Sequence, residues 1–137
     1  MVEHVVPALP DVVWNPNVEA GVLIVAENGN ATLSLLARSD DPNQRTVVLT
    51  FSGVRAARME PPNDEAISGH RLYDKGLREV LWVGEVLDSE LIADIERRTR
   101  VHPLRDPDRF AGLRHWVARL KGSVVEVVGR SCEASRR

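Results

Sequence analysis

Asn28-Gly29 stands between two apolar, β-branched runs, VEAGVLIVAE and NATLSLLARSD. That dipeptide accepts positive φ at both residues more readily than other pairs, so it reads as a two-residue type I′ hairpin turn. In the second arm Ala31, Leu33 and Leu35 alternate with Thr32 and Ser34, which buries one face. A hairpin formed here commits the sheet to antiparallel pairing. RTVVLTFSGVRAARM, residues 45–59, supplies a third strand, with Val47, Leu49 and Phe51 on one face, and completes a meander.

The rest of the chain extends this frame. Prolines at 7, 10 and 16 leave the entry segment room for a short edge strand around Val12–Trp14 at most. Residues 60–70, with Pro61-Pro62 and Asn63-Asp64, read as an irregular loop running to about Gly76. LREVLWVGEV is a fourth strand, with Val80, Trp82 and Gly84 on one face. A helix follows at about residues 89–101, capped by Asp88 or Ser89 and striped by Leu91, Ile92 and Ile95. Asp106 and Pro107 open one further helical turn. A second hairpin turns at Lys121-Gly122-Ser123, with Trp116, Ala118 and Leu120 on one face, and the tail CEASRR frays. With no βαβ alternation, this predicts an α+β, mostly β fold. The expected architecture is an antiparallel sheet of about six or seven strands curled as a sandwich or half-barrel, with one covering helix.

At 137 residues the chain suits a single globular domain, 1–137, large enough to bury a core without cross-links. One cysteine, Cys132, excludes an internal disulfide and a cysteine-built zinc site. No apolar run nears the roughly 20 residues of a spanning helix, and the first residues lack a basic n-region. A cytoplasmic protein without membrane contact is expected. Residues 1–94 hold 7 Lys/Arg against 15 Asp/Glu, a net of −8; residues 95–137 hold 11 against 5, a net of +6. Internal pairing of the two segments is the first reading, and association across a twofold axis the second. Sixteen of the 18 basic residues are arginine, but only Trp116 interleaves them in the basic third, which argues against nucleic acid as partner.

Nucleotide loops of the GxGxxG or Walker type and the GxSxG elbow are absent from the sequence. The histidines are the remaining candidates. His70, with Tyr73 and Asp74, forms the best acid–base cluster, since a carboxylate-oriented imidazole works near neutral pH. The plainer reading makes Tyr73 a buried anchor and His70 its hydrogen-bond partner. His102 serves the helix end as a cation, and His115 packs on the Leu113/Val117 face. The spacing calls for no metal and no cofactor.

The motifs SGHRLYDKGL, GEVLDSELI and RVHPLRDPDRFAGLRHWVARLKGSVVEVV, spread over residues 68–128, resemble a group of small bacterial proteins. Its pattern joins a GHxLYxxGL loop to an LRH-aromatic strand. The resemblance implies a bacterial, cytoplasmic protein and carries over no catalytic residue. The functional expectation is a non-catalytic protein-interaction module, with a protein partner or a homodimer. The alternative is a small-ligand or metal-dependent enzyme with a pocket lined by His70, Tyr73, His102 and His115.

Overall fold

The computed structural model describes residues 2–103 and 108–137. Nine antiparallel strands form two sheets: β1 (His4–Ala8), β2 (Val22–Val25), β3 (Ala31–Leu35), β4 (Val47–Ser52), β5 (Ala56–Glu60), β6 (Val83–Leu87), β7 (Arg114–Arg119), β8 (Val124–Gly129) and β9 (Ser131–Arg136). One sheet has the order β1-β6-β7-β8-β5, the other β2-β3-β4-β9. Leu33, Leu49 and Phe51 from the smaller sheet meet Val83, Trp116 and Val127 from the larger in one apolar layer. This is the expected sandwich, with more strands than the six or seven read from the sequence.

The extra strands come from chain bends. The run read as one third strand is two, because Gly53 takes φ 62° and turns the chain from β4 into β5 and the other sheet. At the same corner the chain leaves β8 through Gly129-Arg130 and continues as β9, which pairs β4 along its whole length. Strands that change sheets in this way build the corners of crossed sandwiches. Gly129 is required here: a Cβ would stand 2.9 Å from the Ser52 carbonyl oxygen. The tail therefore does not fray. Most of its residues are polar because β9 is an exposed edge, not because it lacks partners.

The first hairpin forms where expected but with different turn chemistry. Gly29 donates to the Ala26 carbonyl at 3.1 Å, and Ala26 donates to Asn30 at 2.8 Å. Among the described residues only Gly29 of the pair has positive φ, at 91°. This is a type I turn with a glycine bulge, not type I′. A Cβ on Gly29 would touch nothing closer than 3.6 Å, so the demand is conformational. Gly29→Val should cost about 1 kcal/mol or more through that φ alone. An unshifted thermal midpoint would contradict it.

The larger sheet is covered on its outer face as well. Three 3-10 turns, Asp64–Gly69, Tyr73–Lys75 and Leu77–Glu79, lay Ile67, Leu72 and Leu77 on Val5, Val86, Val117 and Val124. Beside them α1 (Glu90–Thr99) sets Ile95, Leu91 and Ile92 on Leu113 and Val128. Burial on both faces explains why β8 reads VVEVVG without alternation, every residue buried. Ser89 caps α1, accepting from the Ile92 amide at 3.1 Å. A short helix, α2, spans Asp108–Ala111. The cap assigned to Asp106 and Pro107 lies outside the described residues. No helix among the described residues is long and apolar enough to cross a membrane.

Two strand assignments need correction. The entry strand is β1, not Val12–Trp14; Val12 and Trp14 instead plug the core between the sheets without a ladder. Residues 77–82 precede β6, so Trp82 escapes the strand alternation. It is half-buried and lies edge-on to the buried Trp14, ring centres 5.1 Å apart.

Candidate functional site

On the outer face of the larger sheet the apolar cover is interrupted by one polar cluster. Glu126 sits in the middle of β8, flanked by valines, only 4% exposed. Its Oε1 accepts from His115 Nε2 at 2.9 Å and from Arg71 Nη2 at 2.8 Å. Its Oε2 accepts from Arg58 Nη2 at 2.9 Å and faces His70 Nε2 at 3.6 Å. Burial alone would raise this carboxyl's pKa. The bonds from His115 and His70 and the Arg71 charge outweigh it and hold the group far below the usual carboxylate range.

The partners are each fixed from elsewhere. Arg58 lies directly opposite Glu126 on β5. His70 Nδ1 accepts from the Leu72 amide at 3.1 Å, which leaves the ring proton on Nε2, towards the carboxylate. His115, fully buried on β7, bonds Ser89 Oγ through Nδ1 at 2.7 Å. Arg71 also bridges to the buried Glu3, 3.3 Å to each oxygen. Glu3 accepts from Lys75 Nζ at 2.9 Å and from the Glu90 amide at the start of α1 at 3.0 Å. Burial raises the pKa of Glu3, but Lys75, the Glu90 amide and Arg71 together lower it. The cluster thus ties β1, β5, β7, β8, the 3-10 cover and the cap of α1 together.

Of the four residues singled out in the sequence, His70 and His115 do converge, on opposite oxygens of Glu126. Tyr73 does not join them: it packs at the edge of the apolar cover beneath the Arg78 guanidinium, and His70 turns to Glu126 instead. His102 lies past the far end of α1, about 15 Å along the axis from the Ser89 cap. Its main-chain amide donates to the Thr99 carbonyl at 3.0 Å. No group of three or more His, Cys, Asp or Glu among the described residues could hold a metal ion.

Ser89–His115–Glu126 has the connectivity of a nucleophile, base and acid. Three features turn it to structure. His115 is sealed from solvent, Ser89 Oγ is committed to capping α1, and two guanidinium groups hold the carboxylate. Cys132 is also poorly suited to chemistry, since burial pushes its thiol up to about 12.

The sequence reading missed Glu126, Glu3, Arg58 and Arg71. A signal for Glu126 was present: a single acid inside VVEVV, on a strand too apolar to have a wet face. The internal charge pairing it anticipated is found in Arg114–Glu85 at 2.6 Å and Lys121–Asp64 at 3.4 Å. The other feature of note is β2, the outer strand of the smaller sheet. Val22, Ile24 and Val25 are 52%, 60% and 50% exposed, on a strand with no charged residue. No protein-family model matches this chain, and comparison with curated proteins and with solved structures returns no significant match.

Proposed function

We propose that this chain is a non-catalytic protein-interaction module that associates through the free edge of β2, a second copy of the chain being the partner. The state of the four sheet edges carries the reading. β1 begins at His4, next to Glu3, and contains Pro7; β5 carries Arg58 and Glu60 and is followed by Pro61; β9 carries Glu133 and Arg136. Charge and proline are the usual means of blunting an edge. β2, with the sequence VLIV, has neither. A twofold axis beside it would join two four-stranded sheets into one of eight, with Val22 and Ile24 of each copy packed across the join.

The alternative, an enzyme with a histidine-lined pocket, has less in its favour. His70 and His115 are spent on a buried carboxylate, and among the described residues neither lines the surface depressions found around Trp82 and Arg38.

A four-residue edge buries less than a standard interface, so association should be weak and concentration-dependent. Main-chain bonds and apolar contact are poorly screened, so it should survive high salt; pairing of the −8 and +6 segments across the axis would instead loosen. Sedimentation over a concentration series at low and high salt tests both. Ile24→Lys should give a monomer without lowering the thermal midpoint, since the side chain is exposed. A wild-type chain that stays monomeric at high concentration removes the proposal.

A further inference from the structure

Trp82 is the one tryptophan left half-buried, and it forms the wall between two surface depressions of about 290 Å³ each. Its indole is not mobile cover: Trp14, itself buried, meets it edge-on at 71°. On one side Pro16, Leu81 and Leu120 extend the apolar surface, and Leu81 is 73% exposed. Arg119, Lys121 and Asp64 complete that depression.

The charges are unevenly satisfied. Arg119 Nη1 donates to the Val80 carbonyl at 2.7 Å, which fixes the guanidinium without neutralising it. Lys121 pairs with Asp64 at 3.4 Å, both side chains about a third exposed or more, a pairing of little net worth. Among the lining side chains two cations stand against one acid. Such a balance suits a monoanion rather than a phosphate dianion. Guanidinium and ammonium groups lining the same depression as an indole favour a planar, carboxylate-bearing molecule. A cavity of about 150 Å³ holds benzene, so about 290 Å³ takes one ring with a short acidic arm.

We propose that the depression on Trp82 is a binding site for a small aromatic monocarboxylate, its ring against the indole and its carboxylate between Arg119 and Lys121. No β2 residue lines it, so it stands apart from the association proposed above.

The test is a titration of the nitrogen-15-labelled full chain with phenylacetate, following the three indole N–H resonances. Trp82→Phe assigns its signal. One indole, that of Trp82, should shift and saturate in the millimolar range expected for so small a ligand. Phenylacetamide, isosteric but neutral, should bind about tenfold more weakly or less. Lys121→Gln should weaken phenylacetate alone and leave the amide unchanged. Arg119→Gln should do the same, checked by thermal unfolding because Arg119 also braces residues 77–80. Absence of a saturating Trp82 shift in the wild type, equal affinity for acid and amide, or a response centred on Trp14 or Trp116 would each overturn the assignment.

Discussion

Glu126→Gln should lower stability by about 3 kcal/mol. Breaking a buried ion pair from one side typically costs about 3–5 kcal/mol, because the partner charges stay buried and uncompensated. Here Arg58 and Arg71 are more than a third exposed along their side chains, so they can recover some hydration, which places the cost at the low end. His115 cannot recover any, and it loses a charged acceptor. Urea unfolding at neutral pH measures the effect. Its pH dependence gives a second check. The folded pKa of Glu126 is lowered from 4.5, so its contribution is complete above that value. As pH falls below about 4.5 the unfolded chain takes up the proton and the folded chain does not. The contribution then declines by about 1.4 kcal/mol per pH unit. The gap between wild type and Glu126→Gln should therefore narrow on acidification. A gap constant from pH 7 to pH 3 would mean that the residue acts through packing instead.

Trp116→Ala should cost about 3–5 kcal/mol, the range for emptying a large aromatic site in a core. The ring sits on the inner face of the central strand β7, tilted against Phe51 with centres 5.6 Å apart, and beneath the Arg114 guanidinium. Little around it can collapse, since both sheets meet there. For a domain of this size, with a total of about 5–15 kcal/mol, soluble expression itself is at risk. Trp14→Ala falls in the same range, while Trp82→Ala should cost clearly less because its ring is half in solvent. Acrylamide should accordingly quench one tryptophan of the three with ease. Ready quenching of all three would contradict the packing described.

Of the apolar positions read as sharing a buried face, Ala31, Leu33, Leu35, Val47, Leu49, Phe51, Trp116, Ala118 and Leu120 are all in the core between the sheets, while Trp82 only packs against it. The helix cap was also legible, because Ser89 acts on the amide three residues on, and local geometry suffices. The reading failed where a residue's role depends on something distant. Trp14 lies in a proline-broken segment that reads as a short edge strand at most, yet it pairs with no strand and is buried by two sheets that close around it. CEASRR looked like a loose end because nothing in this mostly polar run announces that β4 lacks a neighbour. His70 and His115 were each noticed, but the group that unites them, Glu126, is 11 residues from one and 56 from the other.

Local pattern thus determined the antiparallel α+β class, the two hairpins, the capped helix and most of the inward-facing side chains. These rest on side-chain period and turn chemistry, which act over a few residues. Which strands change sheets, which tryptophan stays wet, and which histidines share a carboxylate were decided only by the tertiary structure. Burial of a charge is paid back by partners from distant segments, and a sheet edge is open or closed only once every other strand has taken its place.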